Sequence, residues 1–214
     1  MAQIFPKWTN EAPRRILVGL IVVLNAVVFG FWYFGSPEYL DVGYAPEQPV
    51  PFSHKTHAGQ LGMDCQYCHT QVFDSRHANI PATQTCMNCH NQIETDNENL
   101  ELVRQSWETG EPIEWIRVHM LPDYAYFNHS AHVNVGVGCE SCHGRIDRMD
   151  VVRQEEPLSM SWCLDCHREP EKHVRPVSEV TTMGYQAENQ LELGLELVAK
   201  HNINAPTYCQ SCHF

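Results

Sequence analysis

The longest apolar run in the sequence covers Ile16–Gly35 and contains no charged residue. Twenty such residues are the length that an α-helix needs to cross the hydrocarbon core of a membrane. Two basic residues, Arg14 and Arg15, precede the run, and the aromatic stretch Phe31–Phe34 lies near its end. The pattern predicts a single transmembrane helix over residues 16–35, preceded by a short segment, residues 1–15.

Basic residues flanking a first transmembrane helix tend to stay in the cytoplasm. The sequence therefore predicts a cytoplasmic N-terminus in a bacterial cytoplasmic membrane, with everything after residue 35 exported to the periplasm. The alternative is a cleaved signal peptide, whose apolar region is normally shorter and is followed by an A-x-A-like cleavage site. Gly35-Ser36-Pro37 is a poor site of that kind, so a retained helix is favoured.

One amphipathic helix is predicted in the middle of the chain, over Asp96–Glu108. Thr95 and Glu98 form a capping-box pattern at its start, and Gly110 is a stop signal. Its apolar positions have helical spacing: Leu100, Val103 and Trp107. We expect this helix to be a packing element.

Most of the remaining chain predicts irregular structure. Residues 36–51 contain four prolines and read as a linker, and Pro112–Pro122 is predicted to be extended. A last helix is predicted over Ala187–Lys200, weakened by Gly194. The predicted fold class is a mostly irregular and α-helical, loop-rich exported domain with short helices, attached to a single N-terminal transmembrane helix.

The ten cysteines all fall in C-x-x-C-H pentapeptides, the signal for covalent attachment of c-type haem. The five pentapeptides are Cys65–His69, Cys86–His90, Cys139–His143, Cys163–His167 and Cys209–His213. Zinc ligands, a redox dithiol or a disulfide framework also use C-x-x-C, but none of them requires the following histidine. The sequence therefore predicts five haem c groups, with both cysteines of each pentapeptide bonded to haem: Cys65, Cys68, Cys86, Cys89, Cys139, Cys142, Cys163, Cys166, Cys209 and Cys212.

Five haems would leave little protein for each. The 179 residues after Gly35 correspond to about 36 residues per haem, which is too few for a large side-chain core around every group. We therefore expect the haems to form much of the core, with short helices packed around them.

The net charge is −12, and it is more negative after residue 35, where 25 acidic residues face 11 basic ones. An acidic surface repels nucleic acid and anionic lipid and suits basic or mixed-charge proteins. No nucleic-acid partner is predicted.

The pattern F-x-H-x-x-H followed by two pentapeptides occurs twice, over residues 52–90 and 127–167. Internal repeats indicate a repeated structural unit, here a two-haem module. The predicted organisation places the first module and the connecting helix in residues 52–126. The second module and a fifth haem site occupy residues 127–214.

The histidine after each C-x-x-C is the expected proximal iron ligand: His69, His90, His143, His167 and His213. Because the H-x-x-H pair recurs at nearly the same offset from a haem site, four further histidines are predicted distal ligands: His54, His57, His129 and His132. His173 and His201 lie in charged or polar surroundings and are expected to be ordinary surface residues.

The arrangement resembles the small multihaem cytochromes of the c3 and c7 type, in which the first histidine of the pair ligates the haem just downstream and the second ligates another haem. The resemblance implies that His54 pairs with His69 and His129 with His143. It also implies that His57 and His132 serve the irons of His90 and His167. For the fifth iron the remaining candidates are His119 first and His77 second.

A methionine ligand is the alternative at one iron. Met160 lies three residues before Cys163, and Met120 is next to His119. One His/Met iron would have a raised reduction potential, although a methionine among apolar neighbours more often serves packing.

Longer stretches are similar to the pentahaem subunit of alternative complex III, a bacterial quinol:electron-acceptor oxidoreductase. They are F-S-H-K-T-H, C-Q-Y-C-H, I-P-A-T-Q-T-C-M-N-C-H, V-H-M-L-P-D-Y-A-Y-F-N-H-S-A-H-V and L-S-M-S-W-C-L-D-C-H-R. The likeness runs from the apolar run through His167. It implies a polytopic quinol-binding membrane subunit, an iron–sulfur subunit and a monohaem cytochrome as partners in the same complex.

The predicted function is a membrane-anchored pentahaem cytochrome c that relays electrons from a quinol-oxidising complex to a periplasmic acceptor, without catalytic residues of its own. The main alternative is a stand-alone membrane-anchored multihaem quinol dehydrogenase that feeds a periplasmic reductase. A catalytic reductase of a small oxyanion is disfavoured, because it would need an open iron position or an unusual proximal residue, and every pentapeptide here ends in His.

Overall fold

In the computed structural model, which describes residues 4–213, the apolar run forms helix α1, Ala12–Phe34. The helix begins four residues earlier than predicted, because Pro13 fits a first helical turn, where its missing N–H has no partner to lose. Gly35 ends it. Residues 1–3 of the predicted cytoplasmic segment, and Phe214 at the end of the predicted second module, lie outside the described range.

Among residues 4–213, α1 is the one helix long and apolar enough to cross a membrane, with a mean hydropathy of 2.3. Its apolar side chains are exposed along its length. A short helix, α2 (Pro37–Leu40), follows, and its Tyr39 ring lies edge-on to Phe34 at 4.9 Å. These features agree with a single-pass membrane anchor.

The chain divides between Leu40 and Asp41, and the haem motifs all lie in the second unit. Part of the predicted linker belongs to this unit. The Gln48 side chain donates to the carbonyl oxygen of Ile116 at 2.8 Å and accepts from its N–H at 2.9 Å. Val50 is buried. The second unit thus begins 13 residues before His54, the first histidine of the first H-x-x-H pair.

The second unit is built from short helices joined by irregular segments. The α-helices are α3 (Cys65–Cys68), α4 (Thr83–His90), α5 (Glu101–Thr109), α6 (His129–Val133), α7 (Glu140–His143), α8 (Met160–Arg168) and α9 (Gln190–Lys200). A π-helical stretch covers Lys55–Gln60, and several single 3₁₀ turns complete the regular structure. Residues 4–213 contain no β-strand, only an isolated antiparallel bridge between Val137 and Val174. The predicted mostly irregular and helical class is confirmed.

Helix α5 differs from its prediction at the start. The predicted capping box is not used, because Asn97 caps instead, accepting a hydrogen bond from the Asn99 N–H at 2.9 Å. Asn is among the strongest N-caps, and it starts a 3₁₀ turn, Glu98–Leu100, ahead of α5. Gly110 ends α5 as predicted, in the left-handed conformation at φ 78°. Val103 is buried as expected, but Trp107 is half exposed.

Helix α9 begins three residues later than predicted, because the Asn189 side chain caps it by accepting from the Glu192 N–H. Gly194, expected to weaken this helix, has a packing reason to be there. A Cβ atom at this position would collide with the carbonyl oxygen of Glu171. Glycine therefore allows α9 to pack closely on the 3₁₀ turn Pro170–Lys172.

The side-chain core is small. Val72, Val133 and Val180 form its buried cluster, and Phe73 and Cys139 pack against it. This agrees with the expectation that prosthetic groups, rather than side chains, fill much of the interior.

Candidate metal centres

Each pentapeptide lies on a single helical turn, and the five are numbered here along the chain as sites 1 to 5. The His N–H donates to the carbonyl oxygen of the first Cys at 2.8 Å in site 1, and at 3.0 Å in sites 3 and 5. Residues three and four apart in a helical turn share one face. The two sulfurs and the imidazole of each site are therefore presented together.

No disulfide joins any two of the ten cysteines, which all lie within residues 4–213. Most are partly exposed, and Cys89 of site 2 and Cys209 of site 5 are exposed. Within residues 4–213 no group of three or more His, Cys, Asp or Glu side chains converges on one point as a structural zinc would require. The recurrent arrangement is a different one: two imidazoles facing each other.

The first histidine of each H-x-x-H pair faces the proximal histidine of the next site in the chain. The His54 and His69 ring centres are 6.5 Å apart, with planes 4° from parallel. The His129 and His143 centres are 6.4 Å apart, at 8°. The same geometry thus appears in both repeats.

The second histidine of each pair faces the following site. His57 lies 6.2 Å from His90, with an angle of 65° between the ring planes. His132 lies 6.0 Å from His167, at 38°. All four imidazole pairs that the repeat and the resemblance imply are thus brought together.

These separations fit an iron between the rings. A metal bonded to a ring nitrogen at roughly 2 Å on each side places the two ring centres roughly 6 Å apart, since each nitrogen is about 1 Å from its ring centre. Hydrogen-bonded imidazoles in direct contact would be closer. The residues present therefore fit the axial ligation of haem c.

A phenylalanine orients both histidines of each pair. The Phe52 ring lies edge-on to His54 at 4.9 Å and stacks on His57 at 4.4 Å. Phe127 repeats this arrangement with the two histidines of the second module, at 4.8 and 4.5 Å. Sequence reasoning noted these phenylalanines as part of the repeat without giving them a role. Their recurrence at a fixed offset was the available signal.

The ring nitrogen facing away from the paired imidazole is held by a backbone carbonyl in most of these histidines. The acceptors of the Nδ1–H groups are Asn79 for His69 (2.6 Å), Ile93 for His90 (3.1 Å), Pro206 for His167 (2.6 Å), Tyr124 for His213 (2.9 Å), Ser53 for His57 (2.9 Å), Arg76 for His129 (2.9 Å) and Asn128 for His132 (2.7 Å). Such a bond fixes the proton on Nδ1 and leaves Nε2 as the free donor for a metal.

Burial favours the neutral form that metal binding needs. Burial, and then the neighbouring His69, lowers the pKa of His54 to about 4. Burial, and then the neighbouring His119, lowers the pKa of His143 to about 3. Burial also lowers the pKa of His129 and His132.

The fifth site is the exception among the imidazole pairs. His119, the first candidate for its distal ligand, lies instead beside His143 of site 3, with 4.3 Å between ring centres. His77, the second candidate, follows Arg76, whose guanidinium lies over the Tyr126 ring at 5.6 Å. The Tyr126 N–H donates to the Cys212 carbonyl at 2.8 Å. The segment carrying His77 is thereby tied to site 5.

The two histidines expected to be ordinary surface residues are both exposed and lie at helix ends. His173 and His201 are C-cap residues of the turn Pro170–Lys172 and of α9. Met160, proposed as an alternative ligand, is exposed at the start of α8, and Met120 is also exposed.

The sites follow one another in space in a different order from the chain. Sites 1 and 2 share the first H-x-x-H pair, and sites 3 and 4 share the second. Sites 1 and 3 meet at Val180–Thr181. The Cys139 N–H donates to the Val180 carbonyl at 3.0 Å, and the Cys65 thiol contacts the Thr181 carbonyl at 4.0 Å.

Site 5 continues the series from site 4. His167 of site 4 donates to the Pro206 carbonyl, three residues before Cys209. Burial, and then the neighbouring Cys212 of site 5, raises the pKa of the Cys163 thiol. The sites are therefore contiguous in the order 2, 1, 3, 4, 5, and the two exposed cysteines belong to the two ends.

Comparison with known proteins gives two family matches within the second unit. Residues 50–106 match the model of cytochrome c7 and related cytochrome c, and residues 131–214 match that of cytochrome c3. The multihaem cytochrome c subunit of menaquinone reductase from Nitratidesulfovibrio vulgaris (strain Hildenborough) is 38% identical over 128 residues. The similar region covers 59% of this chain and 56% of that protein, so the chain spans about half the length of the relative it matches.

Proposed function

From the c7- and c3-like multihaem cytochrome c domains of this chain, we propose a membrane-anchored electron relay that carries five haem c groups. It would pass electrons from a quinol-oxidising membrane complex, similar to alternative complex III, to a periplasmic acceptor. Haem c supplies a one-electron iron couple when it is bound. The chain's own residues hold each group and set its surroundings.

The observation that carries this proposal is the contiguous series of histidine pairs. In sites 1 to 4 an imidazole faces the proximal histidine at 6.0–6.5 Å. Two protein ligands on one iron leave no position for a substrate. Such an arrangement supports electron transfer rather than bond chemistry.

The membrane part of the proposal rests on α1 and the basic pair before it. Arg14 and Arg15 lie in the first turn of α1, on the side that the positive-inside rule assigns to the cytoplasm. The second unit would then lie in the periplasm, where c-type haems are normally attached. A single helix cannot enclose a quinone, so the quinol site would belong to a polytopic partner.

The proposed partners follow from the resemblance to alternative complex III: a polytopic quinol-binding subunit, an iron–sulfur subunit and a monohaem cytochrome. The acidic balance of the second unit suits transient docking of a basic or mixed-charge acceptor. The similarity to a menaquinone reductase subunit supports a quinone-linked complex.

The same relative favours a second candidate in which the electrons run the other way. Its name describes a menaquinone reductase, so the present chain would deliver electrons to a membrane quinone instead of receiving them from a quinol. The series of sites conducts in either direction, and the partners decide which.

Native membranes containing the full chain provide the test. Addition of a reduced menaquinol analogue should reduce the haems, and the chain should co-purify with a polytopic subunit and an iron–sulfur subunit. Removal of these subunits should abolish the reduction. Quinol oxidation by the isolated chain at the membrane rate would instead establish a stand-alone dehydrogenase. Reduction of added menaquinone from a periplasmic donor, with no quinol oxidation, would establish the reverse direction.

A further inference from the structure

Among the proximal histidines, His143 is held differently from the others. The Nδ1 atoms of the other four lie against backbone carbonyls. That of His143 lies 3.2 Å from Nε2 of His119, and the two rings meet nearly at right angles, at 80°. At site 3 a side-chain nitrogen thus faces Nδ1 of the proximal histidine, where the other four sites have a backbone carbonyl.

The direction of this hydrogen bond follows from the pairing of His143. Its other ring nitrogen, Nε2, is the one available for an iron shared with His129. A neutral imidazole that binds metal through Nε2 carries its proton on Nδ1. His143 therefore donates, and Nε2 of His119 accepts.

Hydrogen bonds hold the backbone at His119 and at the residue after it. Arg117 donates from its side chain to the His119 carbonyl at 3.0 Å. The next residue, Met120, donates its N–H to the side-chain oxygen of Gln154 at 3.2 Å.

Gln154 is itself fully buried. Its side-chain amide donates to the Glu156 carbonyl at 3.1 Å. Its backbone exchanges two hydrogen bonds with Gly43 and Tyr44, at 2.8 and 3.0 Å. His119 is therefore held by a built network and not by chance proximity.

The structure assigns His119 as a positioning residue that accepts the Nδ1–H of His143, sets the orientation of that imidazole and increases its electron donation to the metal of site 3. This assignment removes His119 from the candidates for the fifth iron. It rests on the proposed haem ligation but not on the direction of electron flow.

The hydrogen bond from His143 to His119 should change the reduction potential of one site of the five, site 3. A proximal imidazole that donates to a good acceptor is more basic, which stabilises oxidised iron and lowers its reduction potential. Site 3 lies in the middle of the spatial order. A shift in the reduction potential of site 3 would change electron transfer between sites 1 and 4 without changing the potentials of the terminal sites 2 and 5.

The test compares His119→Leu, His119→Asn and His119→Gln in the full haem-loaded chain. The Gln side chain can place an oxygen near the position of His Nε2, whereas Asn is too short and Leu has no acceptor. EPR-monitored redox titration should show one haem of five shifted to higher potential in the Leu and Asn variants, with an altered low-spin signal. The Gln variant should remain close to the parent chain. His201→Leu, at the C-cap of α9, is the matched control and should change nothing.

Three results would overturn the assignment. Unchanged potentials and signals in both Leu and Asn variants would show that the contact has no influence. Equal shifts in the Gln and Leu variants would indicate a general structural effect. A high-spin signal from one haem in all three variants would make His119 an iron ligand. Quinol-dependent reduction in native membranes tests the proposed function separately, because it does not depend on the potential of a single haem.

Discussion

Replacement of Arg175 should destabilise the second unit strongly, because this buried residue joins a distant segment to site 3. Its side chain lies 2.9 Å from the carboxylate of Glu140, which stands between the two cysteines of that site. It also donates to the Thr182 carbonyl at 3.1 Å and lies over the Tyr185 ring at 5.1 Å. Arg175 is only 8% exposed, so these interactions are largely shielded from water.

The size of the effect follows from what Arg175→Met leaves behind. Methionine retains most of the apolar stem, but Glu140 keeps its charge with its side chain 15% exposed. The Gly184 N–H still donates to it at 2.6 Å, and Arg145 lies 3.9 Å away. Breaking a buried ion pair typically costs 3–5 kcal/mol. Since two partners remain, we expect a loss of about 3 kcal/mol, at the lower end of that range.

Urea unfolding of the haem-loaded full chain in detergent, followed by far-UV circular dichroism and Soret absorbance, measures this loss. Arg168→Met is the matched control, since its ion pair with Asp165 is exposed and should contribute below about 1 kcal/mol. Adding Glu140→Gln to Arg175→Met should recover part of the stability, because no buried charge is then left unpaired. A cost under about 1 kcal/mol for Arg175→Met, or no recovery in the double variant, would refute the reasoning.

Three further predictions concern the proposed cofactors and membrane anchor. The unfolded polypeptide should retain the mass of five haems, and free thiols remaining at any pentapeptide would reduce that number. His54→Ala should convert one haem of five to the high-spin form in absorbance and EPR spectra, whereas His173→Ala should not. An unaltered spectrum in His54→Ala would show that the pairing inferred from the repeats is wrong. Replacing Arg14 and Arg15 with Glu should reduce membrane insertion, measured as the membrane-bound fraction of the chain, and a mature N-terminus beyond residue 35 would contradict a retained anchor.

The imidazole pairs could be foreseen because they depend on short-range pattern. In an H-x-x-H pair the two side chains are three residues apart, and Phe52 or Phe127 contacts both. Nearly the same offset to the next pentapeptide occurs twice in the chain. An internal repeat shows, within a single sequence, which residues recur with the same spacing.

The meeting of sites 1 and 3 could not be foreseen in this way. Cys65 and Cys139 are brought together by Val180–Thr181, a segment with no motif of its own. The contact between His119 and His143 has the same origin. It depends on Gln154, which is distant in the chain and unremarkable in the sequence.

Competing cap residues and packing contacts explain the smaller errors in the predicted helices. The Thr95 pattern predicts a helix start, but Asn97, two residues later, is the N-cap and sets the beginning of the helical turn. Gly194 lowers the helix propensity of α9, but glycine at this position allows the close approach of the Glu171 carbonyl. Helix propensity describes an isolated helix. In the folded protein, the segments packed against a helix also determine which residues it can contain.

The position of Val180–Thr181 has a consequence for biogenesis. In the proposed export of the second unit the chain emerges from its N-terminal side, so the segments of sites 1 and 2 and of sites 3 and 4 can each mature before residue 181 appears. The Asp64 carboxylate accepts a hydrogen bond from the Thr181 hydroxyl at 2.8 Å, and the Cys139 backbone N–H donates to the Val180 carbonyl. In the proposed cytochrome, a nascent chain that stops before this point would carry sites 1 to 4 as two pairs with no junction between them, and electron transfer between the pairs would become possible only after residue 181 has emerged.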